Sequence, residues 1–298
     1  MSKTVLTFCL PIANQTDAVR RSMLREFAVN GGKHLVLTEA VIGRILREPA
    51  FAGTLQADLK AHGLDLVDSH APFGPLLDLN SQDQLIPRLA YHKAHLAIGE
   101  MMRVDTMTIH IGNDHIAPGD SIEVQIDRIS ALLDELLPEA EKRNIIITIE
   151  NIWLPINTPE NLWKIKKRFD TPYLGFCYDA GHANLMNNGR LHAECTARDF
   201  WTQVNAGTPV WDDAILEKLL PEVVNCHIHD NDGSYDRHQL PGNGNVNWQH
   251  TANLLKKAPR LRSIQSEVGT TRHYISIKKL METFEKIFNS EDCQEGIK

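Results

Sequence analysis

Ile145-Ile146-Ile147-Thr148-Ile149-Glu150 is a β-branched run that ends on a carboxylate, and the same pattern recurs along the chain. Downstream come Leu174-Gly175-Phe176-Cys177-Tyr178-Asp179-Ala180-Gly181-His182, Val223-Val224-Asn225-Cys226-His227-Ile228-His229-Asp230 and Ser263-Ile264-Gln265-Ser266-Glu267. Upstream lie Leu64-Asp65-Leu66-Val67-Asp68-Ser69-His70 and Thr106-Met107-Thr108-Ile109-His110-Ile111-Gly112. Short apolar runs of this kind read as buried strands. Six in a row carry Asp, Glu or His at the downstream end, which in a (β/α)₈ barrel is the face where catalytic groups from several strands meet. Their convergence there predicts a metal centre.

The barrel itself follows from the alternation of elements. Strand-like runs fall near 4–10, 33–39, 64–70, 104–111, 144–150, 173–179, 223–229 and 262–267, with helical patterning between them, as βαβ units require. From Asp120 to Arg143 the apolar positions Ile122, Ile126, Ile129, Leu132, Leu133 and Leu136 step by three and four. Ser81-Gln82-Asp83-Gln84 reads as a capping box opening a helix over 82–102. Thr158-Pro159 places proline at a first helical position. The alternative, an open doubly wound sheet, wants a Gly-rich turn after the first strand, and Leu10-Pro11-Ile12-Ala13-Asn14 offers none. The expectation is one α/β domain, a (β/α)₈ TIM barrel over 1–298, with 290–298 a polar tail.

Composition narrows the function. Five cysteines (Cys9, Cys177, Cys195, Cys226 and Cys293) make an odd number without paired spacing, so reduced thiols and a cytoplasmic location are expected. The N-terminus predicts neither a signal peptide nor a membrane span. A net charge of -7 disfavours nucleic acid as the main partner. A homo-oligomer stays open.

Glu150, Asp179, His227 and Glu267 supply three carboxylates and an imidazole from the fifth to the eighth strand, a set suited to Mn²⁺, Co²⁺, Mg²⁺ or Zn²⁺. Glu150 and Glu267, read as lying on opposite sides of the mouth, are candidates to remove and return a proton. The competing structural reading has strand-end carboxylates cap helices or pair with arginine. His70 and His110 either share Glu150 around a second ion or hydrogen-bond substrate hydroxyls. Asp236 and His238, two residues apart, point one way if that stretch is extended, and with His182 they outline a third site; the alternative is ordinary loop polarity. His229 reads as a residue that contacts substrate or supports a ligand. Trp153 is a candidate wall of the pocket, and Arg272 with His273 could meet an anionic substrate group. His34, His62, His92, His95, His115, His192 and His250 carry no functional signal.

His70-Ala71-Pro72-Phe73-Gly74, Thr148-Ile149-Glu150-Asn151, Asp179-Ala180-Gly181-His182-Ala183-Asn184 and His227-Ile228-His229-Asp230-Asn231-Asp232-Gly233 resemble the sugar phosphate isomerase/epimerase family of xylose isomerase-like barrels. Asp236-x-His238, Leu240-Pro241-Gly242-Asn243-Gly244 and Trp248 extend the likeness, which spans the third to eighth strands. The resemblance implies one divalent ion held by Glu150, Asp179, His227 and Glu267. It also implies isomerisation or epimerisation of a small keto-sugar, with Glu150 and Glu267 as the acid/base pair. Lyases and dehydratases acting on keto-sugars or keto-inositols start from the same proton abstraction. The chain is also similar to endonuclease IV, whose nine zinc ligands are matched in type by His70, His110, Glu150, Asp179, His182, His227, Asp236, His238 and Glu267. That likeness implies up to three zinc ions and cleavage of abasic DNA, yet basic loops with interleaved aromatics are missing. A binding protein without turnover is a further alternative, which the retention of both glutamates opposes.

Overall fold

The computed structural model of the chain describes residues 4–82 and 85–288. The Asp83-Gln84 half of the expected capping box, the expected tail over 290–298 and Cys293 lie outside the described residues. The strands are β1 (Val5–Phe8), β2 (His34–Leu37), β3 (Asp65–Ser69), β4 (Thr106–Ile109), β5 (Ile146–Glu150), β6 (Leu174–Asp179), β7 (Val223–Ile228) and β8 (Ser263–Ser266). The helices are α1 (Asp17–Val29), α2 (Glu39–Arg47), α3 (Ala50–Ala61), α4 (Leu85–Met102), α5 (Ile122–Lys142), α6 (Pro159–Lys166), α7 (Ala180–Asn188), α8 (Thr196–Gln203), α9 (Ile215–Leu219), α10 (Trp248–Leu255) and α11 (Ile277–Phe288). Each strand falls inside the run read from the sequence.

All strand pairs are parallel, in the order β3-β2-β1-β8-β7-β6-β5-β4. The seam between β3 and β4 closes through single contacts rather than a full ladder. The Asp105 N–H donates to the Val67 carbonyl (2.8 Å) and the Ala71 N–H to that of Thr108 (2.9 Å). Ser69 Oγ donates to the Thr106 carbonyl at 2.7 Å. Inside the barrel, fully buried Asp68 accepts from Thr106 Oγ1, from Ser263 Oγ (2.8 Å) and from Asn225 Nδ2 (3.2 Å). One carboxylate thereby ties β3 to β4, β7 and β8 beneath the mouth. Burial pushes its pKa up against those hydrogen bonds.

Helix α5 shows how the pattern becomes packing. Ser121 caps it by accepting from the Val124 N–H, and Ile126, Ile129, Leu132, Leu133 and Leu136 are fully buried. Each such side chain contributes about 1.5–3 kcal/mol of apolar burial. Thr158 does sit at the N-cap of α6 with Pro159 at the first helical position, but its side chain makes no capping bond.

His92 and His95, which carry no functional signal in the sequence, take a structural part in the fold. Both lie on the buried face of α4. His92 Nε2 is 2.7 Å from the Leu77 carbonyl, which anchors the long β3–α4 loop. Burial, with Arg88 adding to it, lowers the His92 pKa to about 4. Burial and neighbouring His92 lower that of His95 to about 3. The folded chain holds both neutral, whereas the unfolded chain protonates them below their ordinary value of about 6.5. Stability is therefore lost as pH falls from about 6.5 toward 4, by about 1.4 kcal/mol per pH unit for each fully shifted group. A His95→Leu variant should lose less thermal stability than wild type between pH 7 and pH 5, read by circular dichroism melts. Equal losses would show that His95 does not set the slope.

Candidate metal centre

Strand register brings the donors level. Asp179 pairs with His227, His227 with Gln265, and Glu150 with Cys177 two residues before Asp179. Glu267 stands one residue beyond β8, and its N–H donates to the Ile228 carbonyl. The result is a ring of acceptors around one imidazole nitrogen. His227 Nδ1 lies 3.4 Å from Glu150 Oε1, 3.2 Å from Glu267 Oε1 and 3.8 Å from Asp179 Oδ2. None of these contacts is a hydrogen bond, and fully buried His227 has no partner on either ring nitrogen. The expectation that Glu150 and Glu267 face each other across the mouth is corrected. Strands β5 and β8 are three places apart in the ring, and His227 stands between their carboxylates.

Glu150 joins this group to a second. Its Oε2 lies 3.3 Å from His110 Nε2 and 3.7 Å from His70 Nε2 and has no hydrogen-bond partner. His70 Nδ1 lies 2.8 Å from the Ala71 carbonyl, which accepts its proton. In the neutral tautomer the ring would turn its Nε2 lone pair toward that carboxylate, and Glu150 with Glu267 raises the His70 pKa against burial. Two lone pairs facing each other at that distance repel unless a cation stands between them. A second-shell carbonyl fixing one nitrogen while the other faces the ion is how ligating histidines are oriented.

The third group repeats the device. His238 Nδ1 lies 2.8 Å from the Glu267 carbonyl, and its Nε2 is 3.0 Å from Asp236 Oδ2. His182 Nδ1 is 3.1 Å from the Asn151 carbonyl, and its Nε2 is 3.8 Å from the same Asp236 oxygen. The stretch holding Asp236 and His238 does not meet the condition of being extended, because His238 sits at φ 49°. The side chains converge nonetheless, so these loop residues are not solvated polarity. Donor atoms of His182, His229, Asp236 and His238 lie within 4.8 Å of one another, as do those of His70, Glu150 and His227, of Glu150, Asp179 and His182, and of Asp179, His227 and Glu267. These residues fit a metal: nitrogen and oxygen donors converge on shared points, and His227 Nδ1 and Nε2, Glu150 Oε2, His229 Nδ1 and Asp236 Oδ1 are buried there without a hydrogen-bond partner.

Charge balance agrees with the geometry. Burial alone would push the Glu150 carboxyl up, but His227, His110 and His182 outweigh it and hold it well below the carboxylate range. Burial opposes charging of His227, yet Cys177 first, and then the Glu267 and Glu150 carboxylates, hold it well above an ordinary imidazole. Burial likewise opposes His238, and Asp236 raises it to about 9. Each group wants positive charge between its members.

The supports are as specific as the donors. Asn151 and Asp179 exchange two bonds: Asn151 Nδ2 donates to the Asp179 carbonyl (3.0 Å) and the Asp179 N–H to Asn151 Oδ1 (2.9 Å). His229 Nε2 lies 3.2 Å from Asp179 Oδ2, and a Cβ on Gly181 would stand 1.9 Å from that ring, which is why the first turn of α7 carries glycine there. Fully buried Asp230 accepts from the Asn231, Gly242 and Val246 N–H groups and from Trp248 Nε1, folding the loop that carries Asp236 and His238. A Cβ on Gly244 would stand 2.2 Å from the Asn231 carbonyl.

Above the donors opens a cavity of about 690 Å³. Trp153 lines it, edge-on to His182 at 4.8 Å between ring centroids, and Arg272 stands at its rim. Three residues there had not been singled out. Half-exposed Phe73 stacks on His110 at 4.3 Å, and Cys9 lines the same wall. Gln265 Nε2 donates to Glu267 Oε1 at 2.8 Å. Gln265 was findable, since positions two apart share a strand face.

Residues 44–266 match the family described as xylose isomerase-like TIM barrel. The chain belongs to that family. This xylose isomerase-like barrel is 26% identical over 231 residues to uncharacterized protein MJ1311 of Methanocaldococcus jannaschii, covering 74% of this chain and 71% of the relative. Its fold is similar to that of a D-tagatose 3-epimerase-like protein, with TM-score 0.72 and 20% identity over 96% of this chain and 98% of the other. It is similar as well to D-psicose 3-epimerase from Clostridium cellulolyticum H10, solved with D-tagatose, with TM-score 0.68 and 11% identity over 96% of this chain and 100% of the other. At these identities the likeness to the solved structures is one of fold. Among the described residues, no helix is long and apolar enough to cross a membrane.

Because Asn151 buttons the end of β5 to Asp179, an Asn151→Ala variant should lose about 10–100-fold in metal affinity while keeping its fold. Competition against a chromophoric chelator measures this, and an unchanged affinity would show that the reciprocal pair has no part in holding the site.

Proposed function

We propose that this barrel is a metal-dependent isomerase or epimerase acting on a small keto-sugar. The observation that carries the reading is the placement of Glu150 and Glu267 on either side of His227, each with one oxygen turned to the same nitrogen. A divalent ion held by Glu150, Asp179, His227 and Glu267 would polarise the substrate carbonyl and stabilise the enediolate left when the adjacent carbon loses its proton. Manganese, cobalt, magnesium and zinc all suit that donor set.

The proton work falls to the chain's own residues. Gln265 and His227 engage Glu267 Oε1, which leaves Oε2 as the oxygen for proton transfer. Glu150, 1% exposed and enclosed by imidazoles, is the partner that returns or accepts the proton on the other side. Trp153 and Phe73 wall the cavity with apolar surface. His70, His110 and His182 face this cavity, positioned either to donate to substrate hydroxyls or to hold further ions. The fold shared with D-tagatose and D-psicose 3-epimerase structures supports a ketose substrate.

A second reading has one specific observation behind it: eight of the nine residues that match endonuclease IV in type fall into four overlapping clusters of metal-ligand atoms, and the ninth, His110, lies 3.3 Å from Glu150. Against duplex DNA as substrate, Arg272 is the one lysine or arginine among the described residues lining the mouth cavity, in a chain of net charge -7.

The test is deuterium incorporation from D₂O into D-fructose, D-tagatose and D-psicose by manganese- or cobalt-loaded protein, followed by NMR. Wild type should exchange the hydrogen next to the carbonyl, and Glu267→Gln should lower the rate by about 10²–10⁴-fold without changing the melting temperature by more than a few degrees. Exchange that persists in Glu267→Gln would remove the acid/base assignment. Cleavage of abasic-site DNA by protein that exchanges none of the sugars would favour the second reading.

A further inference from the structure

The loop after β8 runs along the mouth cavity as Val268-Gly269-Thr270-Thr271-Arg272. Glu150, Asp236, Glu267 and the histidines of the lining belong to the metal centre, which leaves Glu39 and Arg272 as the charged side chains beyond it. Glu39 stands in the first turn of α2, where the positive end of the helix accommodates its charge. Arg272 is exposed and, among the described residues, has no hydrogen bond or ion pair. The hydroxyls of Thr270 and Thr271 have none either. This wall of the cavity therefore presents a cation and two hydroxyls that the protein itself does not use.

The loop is tied to the segment that carries Asp236 and His238. The Gly269 N–H donates to the His238 carbonyl (2.9 Å), and His273 Nε2 donates to the Arg237 carbonyl (2.7 Å). His273 thus anchors the loop, and Arg272 is the cation that the anchored loop holds at the rim. A guanidinium presents its N–H groups as a fork that matches phosphate and carboxylate oxygens. In (β/α)₈ barrels the loops after the seventh and eighth strands are a recurrent place for phosphate. Resting on the keto-sugar reading above, we infer that the substrate carries a terminal oxyanion, a phosphate or a carboxylate, which Arg272 receives with Thr270 and Thr271. The carbonyl end lies at the metal centre and the charged end at the rim, so the loop selects which ketose enters and in which orientation.

Calorimetric titration of the manganese-loaded protein compares D-fructose with D-fructose 6-phosphate and with D-fructuronate, which has a carboxylate at the same carbon. Binding is read without turnover, so loss of the acid/base assignment in the deuterium experiment would leave this test standing. At least one anion should bind about tenfold or more tightly than D-fructose, the gain expected of one charge-assisted pair. The anion that gains more names the group. Arg272→Gln should cut the advantage to below about threefold, with melting temperature and manganese content as in wild type, and Arg272→Lys should keep part of it. No advantage for either anion would overturn the inference. So would an advantage that survives Arg272→Gln, which would put the anion on the metal ion instead.

Discussion

Burying Glu150 at the bottom of the barrel mouth is the constraint from which the site follows. Its Oε1 faces His182 and His227 at 3.1 and 3.4 Å, and its Oε2 faces His110 and His70 at 3.3 and 3.7 Å. An ionised carboxylate taken out of water costs several kcal/mol unless positive charge is brought to it. Four imidazoles from four different segments turn ring nitrogens toward its two oxygens, and Asp179, Asp236 and Glu267 complete a charge pattern that wants cations between its members. Only a closed sheet that aims its strand ends at one point can gather such a set.

The supporting structure spends its specificity on those strand ends. The Asn151–Asp179 exchange, the Asp230-centred loop and the His229 ring under Gly181 each fix one donor through a buried hydrogen bond or a close packing contact. Asp68 does comparable work one layer down, where the β3–β4 seam lacks a continuous ladder. Apolar packing of helices such as α5 holds the barrel, while these polar links set where its mouth residues stand. Loops could then diversify the reaction without disturbing the donors, which is why fold alone names the family and not the substrate.

Much of this was legible in the chain because strands have a period of two and the barrel has a functional end. All eight strands and the convergence of His70, His110, Glu150, Asp179, His227 and Glu267 follow from runs that end on donors. Three things were not legible. The angular positions of Glu150 and Glu267 depend on ring order and register, which no local pattern encodes. Asp236 and His238 meet with His238 in a left-handed backbone conformation, which a two-residue spacing does not encode. His92 and His95 looked unremarkable because burial on a helix face next to a returning loop is a tertiary fact. Phe73 sat inside a quoted motif, but its stacking on His110 required the loop's path.

The central claim is that His227 and the carboxylates around it hold a divalent ion. Elemental mass spectrometry on protein purified without chelator, then loaded with manganese, cobalt or zinc and desalted, tests it most directly. At least one ion should remain per wild-type chain, and a His227→Ala chain that still folds should retain fewer. A wild-type chain that keeps no ion after loading with any of the three would contradict the account.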